Sequence, residues 1–183
     1  MFKTIVHQTL SNRENPEYIE NNGPFKISDI KTSYLGEGYY FWDNHIELAH
    51  WWGTAHCNNN YIICEAKFEI EESDFCDLVG SRQDQIYFKQ IINMLGFHGK
   101  TIGSIIELLK GLNLEPKTKG IFPYKAIRGV EYQTNKYNQF FYYYAQNKPG
   151  KIPLNPRIII CLITKNPTIL KNYKIIFPEN FCI

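Results

Sequence analysis

Leu35-Gly36-Glu37-Gly38-Tyr39-Tyr40-Phe41-Trp42 is the stretch on which the reading of the fold turns. Glycine lets the backbone turn sharply and approach a partner closely. The four aromatics that follow read as a short strand, because such side chains fill a pleated surface well. The Gly36-x-Gly38 pair is neither a dinucleotide-binding turn nor a phosphate loop. No strand precedes it, and no further glycine follows at the required spacing. Asp43 or Asn44 then caps a helix through Ile46, Leu48, Ala49, Trp51 and Trp52, stopped at Gly53.

Outward from this stretch, Lys3-Thr4-Ile5-Val6-His7 is β-rich and reads as a first strand ending at His7. Pro16 to Glu20 predicts a short helix stopped by Asn21-Asn22-Gly23, and Asp29 to Gly36 a loop. Tyr61 to Ile70 is a strand, with Glu65, Lys67 and Glu69 between apolar positions. Two helices follow, Asp84 to Leu95 and Ile102 to Leu112, each with apolar residues near the 3.6 period. Glu115 to Pro123 is a basic, proline-containing loop. The last third is mostly β: Ala126 to Tyr132, Asn138 to Ala145, Arg157 to Thr164 and Tyr173 to Phe177. Strands at both ends with helices between them predict one α+β domain over 1–183, not an alternating parallel sheet.

Composition narrows the function classes. At 183 residues, 44% hydrophobic and a net charge of +2, the chain has room for a core and is not a disordered segment. The balance of 20 basic against 18 acidic residues gives no argument for a nucleic-acid surface. The apolar run Ile158 to Ile163 is far short of the roughly 20 residues of a membrane helix, so no membrane is expected. Phe2 to Leu10 holds Lys3, His7 and Gln8 and reads as no signal peptide. Five cysteines, an odd count with no CxxC, fit mostly buried thiols in a reducing cytosol. His45, His50, His56 and Cys57 lack metal-ligand spacing and read as structural, so no metal is expected. Aromatics, at 15% of the chain, are the compositional excess.

Taken together, these residues resemble the ADP-ribosyltransferase superfamily, in its His-Tyr-Glu branch of poly(ADP-ribose) polymerase-like domains and small bacterial relatives. That branch opens with His-Gly-Ser/Thr, and this chain has His7-Gln8-Thr9. Its second motif, Gly-x-Gly-(Ile/Phe)-Tyr-Phe with a small residue eight positions later, is matched by Gly36-x-Gly38-Tyr39-Tyr40-Phe41 and Ala49. Some bacterial relatives read Leu-Gly-x-Gly-x-Tyr-Phe-Trp, as Leu35 to Trp42 does, and carry an Arg-Gly-Val stretch like Arg128-Gly129-Val130. The match covers the chain in islands, and the middle helices match none of it.

The resemblance implies a split sheet that grips NAD. His7 would bond a ribose hydroxyl of the adenosine half, and the backbone of Gln8 would hold the nicotinamide amide. Gln8 replaces the family glycine, and its side chain narrows the approach. Tyr40 would stack on the nicotinamide ring, with Tyr39 facing the other way along the strand. The family's third motif is a Glu in Tyr-Asn-Glu, and here Tyr137-Asn138-Gln139 puts Gln139 in that register. The nearest carboxylate is Glu131. Either Glu131 is catalytic through a different register, or Gln139 marks a slower, mono-ADP-ribosylating or inactive protein. The implied activity is a mono-ADP-ribosyltransferase that cleaves NAD and modifies a macromolecular acceptor, as a toxin or defence effector with a neutralising partner protein. The alternatives are an NAD or ADP-ribose binding module without turnover, and a structural protein whose aromatics are core.

Overall fold

The computed structural model describes residues 1–27, 33–131, 140–145, 148–153 and 156–182. Its main sheet starts with β1 (Phe2–Ser11), which runs past the expected end at His7 because it pairs along its whole length with β3 (Tyr61–Ile70). The other strands are β2 (Tyr39–Asp43), β4 (Phe75–Asp77), β5 (Ala126–Val130), β8 (Ile158–Leu162) and β9 (Leu170–Phe177). They join in the order β4-β5-β8-β2-β1-β3-β9. All neighbours are antiparallel except β4 and β5, which are parallel, so the sheet is mixed. A separate hairpin joins β6 (Phe140–Ala145) to β7 (Lys148–Pro153). With four helices among the described residues, α1 (Pro16–Asn22), α2 (Ile46–His56), α3 (Arg82–Met94) and α4 (Ile102–Leu114), the protein is α+β.

Strand alternation sorts the apolar residues onto two faces. On one face Trp42, Ile63, Ile127, Ile159 and Cys161 pack under Leu48 and Ala49 of α2, Phe88 and Ile91 of α3, and Ile105, Ile106 and Leu109 of α4. On the other, Val6, Phe41, Ala66, Phe68, Phe75, Ile160 and Leu162 form a second cluster. Phe75 of β4 meets Phe2 of β1 with ring centroids 4.7 Å apart and Phe68 of β3 at 5.7 Å. These strands are far apart in the sheet order, so the sheet curls around this cluster.

Several elements differ from the sequence expectation for local reasons. α2 is capped by His45, whose Nδ1 accepts from the Leu48 amide at 3.4 Å. Asp43 does not cap it because Thr4 and Arg128 each hold one of its oxygens at 2.7 Å. α2 also continues past Gly53 to His56. Gly53 is small because a side chain there would run into the Tyr61 ring. β4 is three residues long and carries no pattern of its own. Among the described residues no helix is long and apolar enough to cross a membrane. All five cysteines are free, and Cys64, Cys76 and Cys161 are buried. Burial pushes the Cys64 and Cys161 thiols up to about 12, leaving them unreactive near neutral pH.

Two glycines separate packing from propensity. A Cβ at Gly38 would meet Cys161 Sγ and the Leu162 carbonyl oxygen, the latter at 2.7 Å, whereas Gly111 in α4 has nothing within 4 Å. Gly38→Ala should destabilise the protein by about 2 kcal/mol through overpacking. Gly111→Ala should stabilise it by about 0.5–1 kcal/mol through helix propensity. Urea denaturation of the two variants checks both signs.

Candidate functional site

The site forms where two strands part. β1 and β2 pair at Val6↔Asp43 and His7↔Trp42, and the pairing stops there. On the far side of β2, pairing with β8 continues through Tyr39↔Leu162, and on the far side of β1, pairing with β3 runs to Ser11. Gln8 to Leu10 therefore diverge from Tyr39 to Phe41 while both strands stay anchored elsewhere. A cleft of about 220 Å³ occupies the gap, lined from both faces of the sheet. That is smaller than the roughly 300–1,000 Å³ of sites that bury a whole drug-sized molecule, so it suits one ring or one end of a larger ligand.

His7, Gln8 and Thr9 all border the cleft, as do Tyr40 and Glu131. The structure thus brings together expected site residues from β1, β2 and the end of β5. His7 is 5% exposed. Its Nε2 lies 3.5 Å from Glu65 Oε2 on β3, and its Nδ1 has no hydrogen-bond partner among the described residues. A buried polar atom without a partner is costly and is a common mark of a ligand position.

The Gln8 side chain is committed within the protein. Its Nε2 donates to the carbonyls of Phe25 (2.9 Å) and Tyr40 (3.3 Å). Its Oε1 accepts from the Phe25 amide (3.0 Å) and the Tyr173 hydroxyl (2.8 Å). One amide thus bridges the parted strands and ties Phe25 to the edge of the cleft. Thr9 Oγ1 donates to the Ala49 carbonyl at 2.8 Å. This contact brings α2 close to β1 and explains the small residue at position 49, which is fully buried outside the cleft lining.

Tyr40 borders the cleft, and its hydroxyl holds the glycine turn. The hydroxyl donates to the Gly36 carbonyl (2.6 Å) and accepts from the Leu35 amide (2.7 Å). Burial raises its pKa far above the ordinary range, so it stays a neutral phenol. Gly36 has φ +81°, a left-handed conformation that suits glycine. Glu107 Oε1 on α4 accepts from the Glu37 amide at 2.6 Å and holds this turn from the other side. Tyr39 turns to the opposite face, with the Lys26 ammonium 5.9 Å from its ring centre. Gly38 packs against β8, and neither residue borders the cleft.

At the far end, Glu131 extends the β5–β8 pairing through its amide to the Arg157 carbonyl (2.9 Å). Its Oε2 lies 3.3 Å from Arg157 Nη1, and the Arg157 guanidinium stacks 3.9 Å above the Trp51 ring. Gln139 lies outside the described residues. Residues missed by sequence reasoning also join the lining, among them Phe25, Lys26, Ile27, Ser33, Tyr34 and Trp52. Tyr34 donates to the Val130 carbonyl at 2.6 Å, and burial with nearby Glu131 raises its pKa. Of the two neighbouring tryptophans of α2, Trp52 borders the cleft and Trp51 does not. Of the candidate metal ligands, His50 bonds the Tyr61 hydroxyl (3.0 Å) and His56 stacks on Trp52 (4.0 Å between centroids). Among the described residues no three His, Cys, Asp or Glu side chains gather as a metal site needs.

Burial holds the His7 pKa below the ordinary histidine value, against the pull of Glu65 and Glu47; His45 adds to the lowering. A histidine with a lowered folded pKa supports stability above its unfolded value of about 6.5, and that support is lost as pH falls below it. Denaturation midpoints measured between pH 7.5 and 5.5 should therefore fall, and the slope should flatten in His7→Asn. An unchanged slope would show that His7 does not carry the effect.

Comparison with protein-family models, with curated proteins and with solved structures gives no match to this chain.

Proposed function

We propose that the protein is a mono-ADP-ribosyltransferase whose parted strands take the nicotinamide end of NAD. The observation that carries this reading is the unpartnered, buried Nδ1 of His7 in a cleft that also holds Tyr40 and Glu131. These are a hydroxyl acceptor, an aromatic wall and a carboxylate, brought together from three strands. His7 and Tyr40 are also positions singled out by the resemblance to the His-Tyr-Glu branch, and Glu131 is the carboxylate nearest to its third-motif register. In this reading His7 accepts a ribose hydroxyl, Tyr40 and Trp42 flank the nicotinamide ring, and the Gln8 backbone meets its amide. Departure of nicotinamide breaks the ribose C1′–N bond and leaves positive charge on the sugar. A fixed carboxylate at Glu131 favours that charge. A macromolecular nucleophile then takes the ADP-ribose and loses its proton to solvent. A cytoplasmic toxin or defence effector, with a partner that neutralises it, fits such an activity.

One observation favours a second reading, an NAD or ADP-ribose binding module without turnover. Glu131 is paired with Arg157. A guanidinium beside the carboxylate offsets the negative charge that the departing nicotinamide requires.

Radiolabelled NAD incubated with the protein and a cell lysate, followed for nicotinamide release and labelled acceptor, separates the readings. Transfer supports the enzyme. Saturable NAD binding without release supports the module, and folded protein showing neither rejects both. If the protein is active, Glu131→Gln should lower the rate by about 10²–10³ with little change in NAD affinity. NAD at about 100 times its dissociation constant should add about 2.7 kcal/mol to wild-type stability. That gain should shrink in His7→Ala.

A further inference from the structure

We propose that Glu65 is a positioning residue of the cleft: it fixes one tautomer of His7 and so sets the cleft to take a hydroxyl or amide N–H donor rather than an anion. The inference rests on reading the cleft as a ligand site. His7 and Glu65 are register partners on β1 and β3, so their side chains rise from the same face. Glu65 Oε2 is the polar atom facing Nε2, at 3.5 Å. An ionised carboxylate only accepts hydrogen bonds, and a neutral imidazole carries one N–H and one bare nitrogen. In the neutral ring this contact favours the N–H on Nε2, which leaves Nδ1 as a bare acceptor. Nδ1 is the atom without a partner among the described residues.

The surroundings favour this state. His7 is 5% exposed, so desolvation opposes its charged form. The Glu65 side chain keeps 34% of its exposure and stays in contact with water. The other ionisable groups acting on His7 are Glu47 and His45 near the start of α2. Lys174 of β9 is the register partner of Glu65 on its other side. A ligand anion at Nδ1 would meet a lone pair with the Glu65 carboxylate behind it. A hydroxyl or N–H would meet its complement.

Long-range proton–nitrogen spectra of the uniformly ¹⁵N-labelled full chain at pH 7.5 read the tautomer directly, with His7 assigned by its loss in His7→Gln. The expected result is a neutral His7 protonated on Nε2. Glu65→Gln, which keeps an acceptor oxygen, should preserve it. Glu65→Leu should give mixed tautomers and about tenfold weaker NAD binding. If Glu65→Leu does not fold, the wild-type and Glu65→Gln spectra decide. A wild-type His7 protonated on Nδ1 or on both nitrogens overturns the proposal, as does unchanged Nε2 protonation in folded Glu65→Leu. The expected tautomer in a protein that binds no NAD would support the positioning role and count against the NAD reading.

Discussion

The rest of the site depends on the failure of β1 and β2 to stay paired beyond His7↔Trp42. A sheet interior normally satisfies its backbone by continuous ladders, and a gap leaves polar groups that need other partners. Here the Gln8 side chain supplies part of the replacement, through bonds to Tyr40, Phe25 and Tyr173. Around this bridge the gap stays open, and β3 and β8 hold the two strands in place from outside. The cleft is therefore framed by strands of the sheet, with the loop residues Phe25 to Ile27, Ser33 and Tyr34 along its edge. That is the arrangement that best fixes a side chain such as His7.

Charge is handled differently at the two ends of the cleft. At the His7 end a buried neutral ring faces a half-exposed carboxylate and keeps an acceptor free. At the other end Glu131 is held by Arg157, itself stacked on Trp51. Below the sheet, Arg128 joins Asp43 and Asp77 in a largely buried network that ties β2, β4 and β5 together. Such a network is strongly destabilising to break, because the remaining charge is left buried. It fixes the strand end from which Glu131 departs.

The elements legible in the sequence were those with their own periodicity. Tyr61 to Ile70 has the boundaries the alternation predicts, and both middle helices appear where the apolar spacing places them. β4 was not legible, because its three residues are held by β5, about 50 positions away in the chain. His7 and Tyr40 were picked out by motif spacing and Glu131 only as the nearest carboxylate, and the three border one cleft. The committed role of the Gln8 side chain was not, because its partners lie 17, 32 and 165 residues away. Nor was the place of Trp52 in the cleft wall. Gly38 and Ala49 read as ligand-binding motif residues, yet their smallness serves packing against β8 and β1.

The most direct measurement is a backbone and indole amide map of the ¹⁵N-labelled protein titrated with NAD. The account predicts saturable shifts confined to His7 through Leu10, Phe25 through Ile27, Tyr40 through Trp42, Glu131 and the Trp52 indole. No shifts at millimolar NAD, or shifts centred on a surface away from the β1–β2 parting, would contradict it.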